Sequence, residues 1–158
     1  MQDHLDEPSS LPLPGEGKRG EAGHWGYLLR QAANAHRQRA EQSLADLGLT
    51  LPQFSVLTML AAYPGHSNAD LARLALLTPQ TMSVIVANLS KAGLIERRAH
   101  ALHGRIQQIE LTMLGGAKLG QAKERVYGLE AAMAAGMTAQ EQQIVRAWLV
   151  RLAQLNSE

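Results

Sequence analysis

Residues 78–91, TPQTMSVIVANLSK, place side chains of one chemical kind along one side of a prospective helix. Met82, Ile85, Val86 and Leu89 recur at helical spacing and make an apolar stripe. The other face then carries Gln80, Thr81, Ser83, Ala87 and Asn88, which are uncharged and short enough to let a helix approach another surface closely. Glutamine can pair in bidentate fashion with adenine in a major groove, serine and threonine can donate to or accept from any base edge, and a Thr methyl or Ala can touch a thymine methyl. The same pattern also suits an ordinary solvated helix, so its neighbours must decide.

Thr78 is a good N-cap, and Pro79 at the first helical position loses no hydrogen bond. Upstream, Ser67 with Asp70 three residues later predicts a capping box, opening a short helix that buries Leu71, Leu74 and Ala75 and ends near Leu76 and Leu77. Gly93 closes the second helix. Two helices in this order form a helix-turn-helix pattern.

Beyond Gly93 the period changes. Residues 94–98 and 106–111 predict two strands around AHALHGR, with Gly104 at the bend. Such a hairpin directly behind a reading helix is a wing, able to lay Arg105 into a minor groove, with Arg97 and Arg98 at its base within reach of phosphates. Those arginines alone would equally suit a solubilising strand edge. From Leu71 to Leu111, however, Arg73, Lys91, Arg97, Arg98 and Arg105 oppose only Glu96 and Glu110, the local positive charge that a polyanion partner calls for.

Helices must hold this segment. Residues 24–47 predict a long one with Trp25, Leu29, Ala32, His36, Ala40, Leu44 and Leu47 in a stripe, closed by Gly48. Thr50 with Gln53 opens the next, mostly buried and ending near Ala62 before the Tyr63-Pro64-Gly65 turn. Residues 112–136 read as a helix weakened by Gly115, Gly116, Gly120 and Gly128, which therefore needs tertiary or intersubunit packing. Thr138 with Glu141 caps a final helix whose apolar face, from Ile144 to Leu155, is wide enough to suggest burial against a second subunit. Residues 1–22, rich in proline and glycine, read as a flexible tail.

The chain has 158 residues, a net charge of +1, 46% apolar and 4% aromatic residues, which favours a Leu/Ala-rich helical protein. Without cysteine it has no disulfide, thiolate metal site or cysteine nucleophile. No apolar run approaches the roughly 20 residues of a membrane span, and the acidic, proline-containing N-terminus lacks the pattern of a signal peptide, so a cytoplasmic location is expected.

The order of elements resembles the MarR family of bacterial transcription regulators. LTLPQFSVLTML, LARLALLTPQTMSVIVANLSKAGLIERR, RIQQIELTMLGG and MTAQEQ carry the likeness, over residues of about 24 to 155. It implies a mainly α fold with a small β-hairpin: a winged helix-turn-helix lobe at about 50–111, and dimerisation helices at about 24–47 and 112–155 within a domain spanning 23–155. It implies a homodimer straddling a pseudo-palindromic double-stranded DNA operator, with Gln80, Thr81 and Ser83 meeting bases and Arg105 at the wing tip. Pro79, Val84, Asn88, Lys91, Arg97 and Arg98 complete the expected DNA-contacting set. Two departures stand out: His103 replaces a common acidic residue two before the wing-tip arginine, and Val84 replaces a common arginine, shifting charge-assisted contacts from the helix to the wing.

Regulators of this family commonly respond to small aromatic acids or phenols, and Trp25, His36, Tyr63 and His66 are the candidate effector-binding residues. A metal sensor built on His100 and His103, with His24, His36 and His66, is the alternative of another class, but no carboxylate set accompanies them, and neither a metal nor a cofactor is expected. A structural dimer with a decayed reading motif is a further alternative, against which the intact caps, reading face and basic wing count together. No enzyme is expected, because no nucleophile elbow, phosphate-cradling glycine loop or H-E-x-x-H occurs.

Overall fold

The computed structural model describes residues 11–99 and 107–155. It divides into two compact units, residues up to Arg39 and residues from Ala40 onward. Among the described residues, six α-helices and one hairpin follow in order: α1 (Trp25–Leu44), α2 (Leu51–Ala62), α3 (Asn68–Leu74), α4 (Pro79–Lys91), β1 (Ile95–Ala99), β2 (Gln107–Leu111), α5 (Met113–Met133) and α6 (Ala139–Gln154). Among the described residues no single helix is long and apolar enough to cross a membrane.

In the N-terminal unit, part of the stretch expected as a flexible tail has local structure. A 3-10 turn at Gly17–Arg19 is held by Arg19, which donates to the Pro12 carbonyl at 2.7 Å and to Gln31 Oε1 on α1 at 3.2 Å, while Gln31 Nε2 donates back to the Arg19 carbonyl. Proline and glycine lower the helical tendency here, but an arginine with five donors can collect the carbonyls that a tight turn leaves free.

The second unit is built around α2. This helix is apolar on nearly every side, which a helix tolerates only when neighbours cover all of them. It packs against α3, α4, α5 and β2, burying Phe54, Val56, Leu57 and Leu60. Thr50 and Gln53 make the reciprocal capping box that their spacing predicts, as do Thr138 and Glu141 on α6. Met82, Ile85, Val86 and Leu89 of α4 complete the core with Leu94, Ile95, Ile109, Leu119, Ala122 and Val126. Each fully buried Leu, Ile, Val or Met among them contributes about 1.5–3 kcal/mol of transfer free energy.

The helix α3 differs from expectation in one respect: Leu71 and Ala72 are buried, whereas Leu74 is 37% exposed. Leu71, Ala72 and the half-buried Ala75 stand at i, i+1 and i+4 on the face that packs inward, and Leu74 falls to its side; α3 ends at Leu74, and the chain turns toward α4 through Leu76 at φ 55°. Leu76 is the one non-glycine among the described residues with positive φ.

The wing pairs β1 with β2 antiparallel, in the register Ile95 to Leu111 and Ala99 to Gln107. Thr112 ties it to the helices on both sides. Its hydroxyl donates to the Gly93 carbonyl at 2.6 Å and accepts from the Gly115 amide at 3.0 Å, while its amide donates to the Leu94 carbonyl at 3.1 Å. Lys118 and Arg125 of α5 reach back to the Leu47 and Ser43 carbonyls, satisfying acceptors that the end of α1 leaves open. The α6 helix buries no residue, and its Ile144, Val145, Leu149 and Val150 stay exposed.

Among the described residues three carboxylates are held below their ordinary pKa: Asp70 chiefly by the Ser67 hydroxyl, Asp46 by Arg125, and Glu141 by the Thr138 backbone amide. A depressed carboxylate stabilises the fold above its unfolded pKa and loses that contribution as pH falls through the folded value. Unfolding midpoints in urea are therefore expected to drop on acidification below about pH 4. Asp46→Asn should lose less between neutral and acid pH than the parent does.

Candidate nucleic-acid interface

Thr78 caps α4 by accepting from the Thr81 amide, and Pro79 fills the first turn, as the local sequence predicts. With the four apolar residues of α4 committed to the core, Pro79, Gln80, Thr81, Ser83, Ala87, Asn88 and Lys91 are exposed, and Val84 is 61% exposed. The α3 helix packs against α4 and leaves this face exposed at the surface of the unit.

The hydroxyls on that face are oriented by neighbours. Thr78 Oγ1 donates to Thr81 Oγ1 at 2.9 Å. Ser83 Oγ donates to the Pro79 carbonyl at 2.9 Å and accepts from Asn68 Nδ2 of α3 at 3.3 Å. Asn68 is a residue that the sequence pattern did not reveal. It lies fifteen positions before Ser83, and only the packing of α3 on α4 brings the two together.

The basic residues are unequal. Arg98 is bound by Glu96 at 2.6 Å and by Glu110 across the strands at 3.3 Å, and its pKa is raised by Glu96 first and Glu110 after it. Its charge is therefore largely balanced within the hairpin. Lys91 ends α4 exposed, and Arg97 is exposed on β1. Arg105, like His100 and His103, lies outside the described residues. Among the described residues no set of three His, Asp or Glu could hold a metal ion.

Of the expected effector residues, Tyr63 and His66 meet, with ring centroids 6.2 Å apart at 51°. The His66 carbonyl also accepts from the Ile109 amide at 3.4 Å, linking this turn to β2. Trp25 and His36 belong to the N-terminal unit. They are separated along α1 by about 16 Å of helical rise and do not converge with each other.

The family model described as MarR family matches residues 47–106, the segment that contains α2, α3, α4 and β1. The HTH-type transcriptional repressor Rv2887 of Mycobacterium tuberculosis is 38% identical over 127 residues, covering 80% of this chain and 91% of its own. The chain belongs to the MarR family. Two crystal structures of that MarR family relative, one with salicylic acid and one with DNA, each superpose with a TM-score of 0.67. The first is 36% identical and covers 84% of this chain and 98% of its own; the second is 35% identical and covers 82% and 98%. The transcriptional repressor CouR, solved on a 23-mer DNA duplex, superposes with a TM-score of 0.78 at 25% identity, covering 90% of this chain and 99% of its own. The winged helix-turn-helix expected from the MarR resemblance is thus the fold of this chain.

Proposed function

We propose that this MarR family chain is a DNA-binding transcriptional repressor that acts in the cytoplasm as a homodimer on a pseudo-palindromic operator, without a catalytic reaction of its own. The observation that carries the reading is the exposed, uncharged, hydrogen-bonding face of α4, presented by a buried stripe and an intact cap. Its relative's complex with DNA supports the same reading. Pro79, Gln80, Thr81, Ser83, Val84 and Asn88 face the major groove, and Lys91, Arg97 and Arg105 meet the backbone or minor groove. Arg98 contributes less, because two carboxylates already hold it. The exposed apolar face of α6 supports the dimer, whose two-fold symmetry sets reading helices about one helical turn of DNA apart.

A small aromatic acid is the proposed effector. The salicylic acid complex of the relative supports the ligand class, and the Tyr63–His66 pair offers a ring face and hydrogen-bonding groups. Selection of random duplexes by the purified protein tests the reading. A two-fold motif should be enriched, and salicylate should weaken binding to it; a selection that enriches no sequence would overturn the function.

The charges can be ranked by salt dependence. In Lys91→Ala the slope of log K against log salt should fall by about one unit, the loss of one phosphate contact. In Arg98→Ala it should fall by less. Anisotropy titrations at several salt concentrations measure both.

A further inference from the structure

We propose that Asn68 on α3 sets the hydrogen-bond sense of Ser83, making it an acceptor that meets the exocyclic amino group of adenine or cytosine. The inference rests on the DNA-binding reading above and specifies its chemistry at one position. A serine hydroxyl has one proton and two lone pairs. At Ser83 the proton goes to the Pro79 carbonyl at 2.9 Å, and Asn68 Nδ2 occupies one lone pair at 3.3 Å. What remains is a single acceptor on an exposed face.

In the major groove, guanine N7 and O6, adenine N7 and thymine O4 are all acceptors, and only adenine N6 and cytosine N4 carry donors. Phosphate oxygens are acceptors as well. So Ser83, held this way, has no partner on the backbone and one class of partner on the bases, and it adds to sequence choice. The face thus offers an acceptor at Ser83.

Asn68 is a positioning residue in this scheme. Among the described residues its Oδ1 is buried without a hydrogen-bond partner, which is destabilising, and the bond its side chain makes there is the one to Ser83. An amide kept for stability would not be expected to leave its carbonyl unsatisfied.

The experiment starts from an operator selected by the parent protein, at the base pair whose preference Ser83→Ala flattens. Duplexes are made with the amino group deleted there, as purine for adenine or pyrimidin-2-one for cytosine, and others with 7-deazapurine. Deleting the amino group should cost the parent about three- to tenfold in affinity, the worth of one hydrogen bond. It should cost Ser83→Ala and Asn68→Ala much less, while the thermal midpoint of Asn68→Ala is no lower than the parent's. The proposal is overturned if Ser83→Ala flattens no position, if the 7-deaza change rather than the amino deletion is coupled to Ser83, or if Asn68→Ala keeps the full amino penalty. A parent that enriches no sequence would instead overturn the DNA-binding reading itself.

Discussion

Gly115→Ala is expected to lower the unfolding free energy by about 3 kcal/mol, the upper end of the usual cost of overpacking. A Cβ at this position would stand 1.9 Å from the Leu94 carbonyl oxygen and 2.8 Å from its carbon, both backbone atoms that cannot swing aside. That same carbonyl accepts from the Thr112 amide, and Thr112 caps α5 through the Gly115 amide, so relief of the clash would disturb the joint between wing and α5. Gly116→Ala is the control. A Cβ there meets nothing within 4 Å, and alanine in an open helical position should raise stability by about 0.5–1 kcal/mol. Urea unfolding of the two variants should therefore move in opposite directions; equal shifts would show that the close approach of α5 to Leu94 does not govern stability.

Gln80→Ala is expected to weaken the selected operator by about 1–3 kcal/mol, roughly 5- to 150-fold, and to relax preference at one base position. Gln80 is exposed near the N-terminus of α4, the end that the cap of Thr78 fixes in direction. Its amide offers both a donor and an acceptor, the pair that adenine N7 and N6 require. Because it contributes nothing to the core, the thermal midpoint should change little. Equal losses on specific and nonspecific DNA would mean that α4 is turned differently in the groove.

Much of this architecture is written in local sequence. The four buried residues of α4 follow from a period of 3.6, and the polar face follows with them. Thr50 with Gln53, Thr78 with Pro79, and Thr138 with Glu141 start helices where they stand, since a cap is made by residues three apart and needs no tertiary partner. The change of period after Gly93 announced the wing for the same reason: alternation and helical spacing are local quantities.

Other features depend on residues far apart in the chain, and no window of sequence contains them. Gly115 reads as one of several helix-weakening glycines, yet it alone in its helix lies against the Leu94 carbonyl, twenty-one positions away. Arg98 and Lys91 look alike as charges until the pairing of the strands brings Glu110 to the first. Leu74 looks like a core residue until α3 packs inward through Leu71 and Ala72 and leaves it 37% exposed. Local spacing alone makes one face of α4 polar and starts α2, α4 and α6 at their caps. Which hydrogen-bonding groups on that face remain open depends on the packing of α3 beside α4, which brings Asn68, fifteen positions away, against Ser83.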